Sequence, residues 1–265
     1  GIDPNDLIEH FSISKTKLQS YISENEPYIF RMGCNQYRLD IRPIILLDNG
    51  NAYISKAALS KAKHQWASYA INGGRPYTGV DAGQGDAVID GFSELEKELG
   101  DRLVDLLFRK LEEHYPDAKF KDKDVKYYRI FGKRRKVFQD TEDYDIVYYT
   151  GNELFLIESK YFSDSTTVNL AVGDYNKIFK SGRYYEHCRR RYDLVEAEPE
   201  KIKSFLNAEG KIKVHYLFVS SKPLEIEFQD EDKIVTFLSV ACFDRYIEGK
   251  LEYEDGSVLR PTHEI

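Results

Sequence analysis

Residues 143–160 read Asp-Tyr-Asp-Ile-Val-Tyr-Tyr-Thr-Gly-Asn-Glu-Leu-Phe-Leu-Ile-Glu-Ser-Lys, two apolar runs about one short polar break. Apolar runs rich in β-branched and aromatic residues, joined by Thr150-Gly151-Asn152, predict two strands of a hairpin. With Gly151-Asn152 as a two-residue turn, Asp145 falls opposite Glu158 and Asp143 opposite Lys160; a longer turn would slip the register by one. Side chains two apart share a face, so Glu158 and Lys160 point the same way, beyond Val147, Tyr149, Leu154 and Leu156. Four charged groups then gather at one end of one apolar face.

Carboxylates directly opposite one another, about 5 Å apart at Cβ, repel and weaken the strand pair. Asp145 and Glu158 therefore need a neutralising partner. A hard divalent cation with oxygen ligands meets that need while keeping several waters. Lys160 neutralises part of the charge and, beside a metal, orients or deprotonates a water. Two carboxylates, a lysine and a metal suit in-line hydrolysis of a phosphodiester. The plainer alternative is that Asp145 caps the strand entrance and Glu158–Lys160 is an ion pair on a rim.

At these residues the chain resembles the PD-(D/E)xK nuclease superfamily, which includes restriction enzymes, Holliday-junction resolvases and many repair nucleases. The family pattern is an acidic residue at the start of one strand and (D/E)-x-K on the next, matched here by Asp145 and Glu158-Ser159-Lys160. The family's proline is missing, since Tyr144 precedes Asp145, at a position that varies widely in the superfamily. The family often completes its site with an acidic residue on the preceding helix. Around the helix predicted over 87–111, Glu96 falls in the middle of the apolar face, with Glu94 and Glu98 to its side and Asp101 farther round. A glutamate in an apolar stripe is unusual without a partner, so Glu96 is the choice.

The resemblance covers about residues 87–249 and leaves the N-terminal 85 uncovered. It implies a restriction-endonuclease-like core and a divalent-metal-dependent endonuclease acting on DNA ahead of RNA. It also implies that Asp145, Glu158 and the Ser159 backbone carbonyl bind Mg²⁺ or Mn²⁺, with Glu96 reaching the metal directly or through water. Lys160 would activate or position the attacking water. Nucleases that cut both strands commonly work as dimers, which leaves a homodimer open. The competing expectation is a nuclease-like domain that binds nucleic acid or a protein partner without cleaving.

The rest of the chain fits a fold of class α/β (α+β), a mixed β-sheet flanked by helices and preceded by a small α+β segment. Residues 14–24 look helical. Arg38–Leu47 and Asn51–Ser55 pair about Asp48-Asn49-Gly50-Asn51, and Ser55 caps a helix running to about Asn72. Residues 73–86 hold five glycines and a proline without periodicity, so the expected division is 1–85, 86–250 and a polar tail, 251–265. Phe92, Leu95, Leu99, Leu103, Leu106 and Leu107 predict a long helix from Ala87 to His114. Strand-like VKYYRIF and KVF precede the hairpin. A charged helical region over 171–208, a strand at KVHYLFVS, a β-like IVTFLSV and a closing helix come after it.

Net charge is −7, yet Lys119–Lys136 carries a local +7 and Lys177–Arg191 a local +5, leaving −19 on the remainder. That asymmetry suits phosphate contact at one place, with Lys133, Arg134, Arg135, Lys136, Lys177, Lys180, Arg189 and Arg190 as candidate nucleic-acid contacts. Both stretches also fit solvated faces. Cys34, Cys188 and Cys242 are dispersed and odd in number, as in reduced proteins, and no Cys/His spacing suits zinc. No apolar run spans a bilayer and the start lacks secretory character, so an intracellular protein, cytoplasmic or nucleoid/nuclear, is expected without a membrane partner. Gly1-Ile-Asp-Pro4 fits a cloning scar, consistent with part of a longer polypeptide.

Overall fold

The computed structural model describes residues 2–20, 38–74, 82–132, 143–163, 168–180, 184–224 and 234–265. The chain is α+β, with two mixed sheets and helices packed on them. It divides into two units, Gly1–Leu99 and Gly100–Ile265.

In the first unit, α1 (Pro4–His10) starts at Asp3, whose carboxylate accepts from the Asn5 N–H. β1 (Ser12–Ser14) and α2 (Lys15–Ser20) come next. β1 lies parallel to β2 (Ile44–Leu46), which runs antiparallel to β3 (Ala52–Ile54). The predicted Asn-Gly turn joins β2 to β3, with Gly50 at φ 80°. The strand expected from Arg38 starts only at Ile44. Arg38 is instead the acceptor of a turn, taking the Ile41 and Arg42 N–H groups. Ser55 caps α3 (Lys56–Ile71) as expected, and Gly73, at φ 62°, lies just past its end.

The core of this unit is Ile41, Ala62, Trp66, Val88 and Ile89, with Phe92 packed against it. The Trp66 indole N–H donates to the Ile41 carbonyl at 2.9 Å. Val88, Ile89 and Phe92 belong to α4 (Ala87–His114), so by contacts the division falls between Leu99 and Gly100, inside this helix. Asp86 caps α4 through the Val88 and Ile89 N–H groups, and its other oxygen meets His10 Nδ1 at 2.5 Å.

The sheet of the second unit runs β4 (Phe120–Lys126), β5 (Asp143–Thr150), β6 (Glu153–Lys160), β7 (Lys213–Ser220), β8 (Thr236–Ser239). The first three strands are antiparallel; β7 and β8 continue parallel to β6. Its helices are α5 (Tyr127–Phe131), α6 (Val168–Phe179), α7 (Tyr184–Ala197), α8 (Pro199–Leu206) and α9 (Val240–Ile247). VKYYRIF is strand only to Lys126, because Tyr127, Ile130 and Phe131 are buried from a helical turn. KVF lies outside the described residues. The expected tail returns to the sheet as β9 (His263–Glu264), antiparallel to the start of β7.

Two layers of helices cover this sheet. Leu103, Leu107 and Leu111 of α4 pack with Phe243, Tyr246 and Ile247 of α9 against Ile146, Tyr148, Phe155 and Ile157. On the other face, Leu194, Val195, Ile202 and Leu206 of α7 and α8 lie over Val147, Tyr149, Leu154, Leu156 and Tyr216. Strands buried on both faces are near-continuously apolar, so Glu158 and Ser159, buried within β6, stand out. Among the described residues no helix is long and apolar enough to cross a membrane.

Candidate active site

The site is built on the β5–β6 hairpin. Its ladder runs from Thr150↔Glu153 to Ile146↔Ile157, the register that a two-residue turn dictates, with Gly151 at φ 56°. Strict alternation would send Tyr144 to the face of Ile146, but Tyr144 packs in the cluster of Val147 on the other face. Across the ladder Asp124 sits at φ 52°, between the pairs Lys123↔Ile146 and Val125↔Tyr144. A left-handed aspartate reorients the strand there, and Val125 shares the cluster of Tyr144. The strand pair thus turns over at Asp145. The Asp145 Oδ2 accepts from the Ser159 N–H at 2.6 Å and from the Ser159 hydroxyl at 3.2 Å.

Lys160 joins the two carboxylates, with Nζ 2.5 Å from Glu158 Oε1 and 3.7 Å from Asp145 Oδ2. It also lies 5.2 Å from the Tyr184 ring centroid. Glu158 is 5% exposed, and its Oε2 pairs with the guanidinium of Arg191 on α7. Arg191 is 7% exposed; its Nε donates to the Tyr127 hydroxyl, and it lies 5.6 and 5.5 Å from the ring centroids of Tyr127 and Tyr144. Asp143 does not join the group. It pairs with Lys126, its ladder partner on β4, so three of the four charges expected together are together.

Burial and the Glu158 charge push the Asp145 carboxyl up to about 6, against Lys160 and the Ser159 N–H. Burial alone would raise Glu158, but Arg191 and Lys160 reverse it and hold Glu158 below the usual carboxylate range. Burial alone would lower Lys160; the Glu158 and Asp145 charges outweigh it and carry the amine above the usual lysine range. Lys160 is therefore an ammonium at neutral pH. Burial pushes the Cys188 thiol up to about 12, which leaves it un-ionised and unreactive.

Arg191 is the residue that sequence reasoning missed. The run Arg189-Arg190-Arg191 reads as a solvated basic face, and Arg190 does lie exposed, 4.0 Å from Glu186. The signal lay in the spacing of Cys188, Arg191 and Val195, all buried, at the helical interval that marks a covered face. Glu96 is half-buried on α4, like Leu95 and Leu99, whereas Glu94 and Glu98 are exposed. It belongs to the first unit, and Asp145, Glu158 and Lys160 to the second.

Of the basic candidates, Lys133, Arg134, Arg135 and Lys136 lie outside the described residues. Lys121, Lys123 and Lys126 of the same stretch pair with Glu112, Asp105 and Asp143 outside it, which offsets three of its seven net charges, and Arg129 pairs with Asp122 within it. Lys177 lies 3.6 Å from Asp174, Lys180 is exposed just after α6, and Arg189 is half-buried on α7.

The donor set suits a hard cation in kind. It is all oxygen, from two carboxylates on neighbouring strands. Asp145 Oδ1 has no partner among the described residues. In an extended strand the N–H and C=O of one residue point to the same side, so the Ser159 carbonyl shares the edge at which its N–H meets Asp145. Among the described residues no group of three or more His, Cys, Asp or Glu is placed to hold a metal, so any ion must complete its shell with backbone, water or substrate oxygens. Magnesium commonly binds so, through one or two carboxylates plus phosphate. Comparison of the chain with protein-family models, curated proteins and solved structures finds no match.

Proposed function

We propose that the second unit hydrolyses phosphodiester bonds of nucleic acid, DNA ahead of RNA, using Mg²⁺ or Mn²⁺ at Asp145 and Glu158. One observation carries this reading: an open Asp145 oxygen, Glu158 and Lys160 meet where the strand pair turns over. The succession of a helix, three antiparallel strands, helices and a strand parallel to the third is of the kind expected for a restriction-endonuclease-like core, and supports it.

Asp145, Glu158 and the Ser159 carbonyl would hold the ion. Held there, a divalent ion would supply Lewis-acid polarisation of a phosphoryl oxygen and positive charge for the transition state. Beside the Glu158 and Asp145 charges Lys160 holds its proton above the usual lysine range, which makes it a poor base. Its part is to orient the attacking water and to place positive charge beside the phosphoryl group. Arg191 keeps Glu158 ionised and fixed. Lys177 and Lys180 of the basic stretch would contact backbone phosphates.

A second reading draws on the charge balance: Lys160 and Arg191 already neutralise Asp145 and Glu158, as suits a nuclease-like domain that binds nucleic acid or protein without cleaving. The test is incubation of the full chain with supercoiled plasmid, linear single-stranded DNA and RNA, in Mg²⁺, Mn²⁺ or EDTA, beside Lys160→Ala. Metal-dependent cutting that the variant loses supports hydrolysis at this hairpin. No cutting by folded wild type with either metal favours the second reading, and salt-dependent binding is then the measurement to make.

A further inference from the structure

We infer that Arg191 is a resident counter-ion that makes metal loading at Asp145 and Glu158 depend on the arrival of a phosphodiester. This rests on the metal-dependent reading above and deepens it. Both Glu158 oxygens are engaged, Oε1 by Lys160 and Oε2 by Arg191. The two cations are not equivalent. The Lys160 side chain is 27% exposed and lies at the solvent edge of the cluster. The Arg191 side chain is 9% exposed, held by the Tyr127 hydroxyl and the Tyr127 and Tyr144 rings, with Cys188 buried one turn earlier on the same helix. One counter-ion lies at the solvent edge and the other is built in.

Asp145, Glu158, Lys160 and Arg191 sum to zero charge. A divalent ion entering beside these four groups leaves a net positive site, in surroundings where salt screens little. A phosphodiester anion offsets part of that charge. Metal and phosphodiester therefore assist each other's binding, and the coupling is reciprocal. Take away the Arg191 charge and the cluster is net negative, so it accepts metal unaided. A merely structural arginine predicts the opposite sign, because its loss would leave Glu158 poorly held and the metal bound more weakly.

The experiment is titration of the full chain with Mn²⁺, reading free ion by electron paramagnetic resonance. It is run alone, with a dithymidine phosphorothioate, and with the neutral methylphosphonate of the same shape. Wild type should bind Mn²⁺ at least tenfold tighter with the phosphorothioate and gain nothing from the methylphosphonate. Arg191→Gln should bind Mn²⁺ at least tenfold tighter than wild type without any ligand, and Arg191→Lys should restore wild-type behaviour. An Arg191→Gln protein that binds no tighter, an Arg191→Lys protein that behaves like it, or a wild type indifferent to the phosphorothioate overturns the inference. If Arg191→Gln does not fold, the wild-type comparison of charged and neutral ligands decides alone. Asp145→Asn separates the two readings. Binding that survives it removes the metal site itself, whereas binding that it abolishes, without the Arg191→Gln gain, removes only the role of Arg191.

Discussion

Replacing Asp145 with asparagine should make the second unit more stable at neutral pH, though it removes a proposed metal ligand. Asp145 titrates near 6 in the folded chain against 3.8 for an ordinary aspartate, because burial and Glu158 disfavour its charge. Its side chain is 15% exposed, so solvent relieves little of this. Two pKa units at 1.36 kcal/mol each set a ceiling of about 3 kcal/mol for the cost of ionising it in place. The Lys160 attraction is already counted within that ceiling, and the amide keeps an oxygen to accept from the Ser159 N–H, so a net gain of about 1–3 kcal/mol is expected. The sign comes from linkage. A group whose folded pKa is raised contributes stability that is present below its unfolded pKa and lost as pH rises through its folded pKa. Wild type and Asp145→Asn should therefore be equally stable near pH 4, separate between about pH 4 and 6, and reach their full difference above pH 7. Urea unfolding of both proteins in EDTA, at intervals from pH 4.5 to 8, measures this. A variant less stable at pH 7.5, or a difference that does not change with pH, would refute the electrostatic account of the site.

Glu158→Gln should cost about 3 kcal/mol or more in the same assay, because it leaves Arg191 buried without its carboxylate; a loss under 1 kcal/mol would mean that the pair carries little. Tyr216→Phe should be neutral or stabilising by up to about 1 kcal/mol, since the buried Tyr216 hydroxyl has no hydrogen-bond partner among the described residues; a loss above 1 kcal/mol would point to an unseen partner. In the first unit, burial holds His10 below the usual histidine range in spite of Asp86, so its contribution is present above pH 6.5 and lost as pH falls below it. Trp66, the only tryptophan in the chain, lies 4.9 Å from the His10 ring and reports this by fluorescence. Acidification should shift its emission in wild type and not in His10→Phe; identical titrations would release His10 from that role.

The hairpin was legible because two local rules agreed. The two-residue Gly151-Asn152 turn set the register, and period-two alternation sorted Val147, Tyr149, Leu154 and Leu156 to one face. Ser55 and Gly73 bounded α3 by equally local chemistry. What escaped was set by tertiary contact. The turn-over at Asp124 and Asp145 leaves no mark in hydrophobic pattern, since an aspartate in the left-handed region looks like any other. Alternation places Asp143 with the cluster, but its ladder neighbour Lys126 satisfies it first. The run 125–131 fits either period, and burial of Tyr127, Ile130 and Phe131 chose the helical one. Arg191 was hidden by its neighbours, for three arginines in a row suggest a wet surface unless the buried spacing through Cys188 and Val195 is weighed with them.

The helix α4 begins after the glycine-rich stretch, yet its first turns supply Val88, Ile89 and Phe92 to a core otherwise made of Ile41, Ala62 and Trp66. The chain up to residue 74 and the helix that begins at Ala87 are thus joined by more than the covalent path. They share a buried interface, tied also by the contact of His10 with Asp86. An excised segment starting at residue 86 would instead expose that apolar patch to water, and the preceding residues added as a separate piece would have a surface to cover.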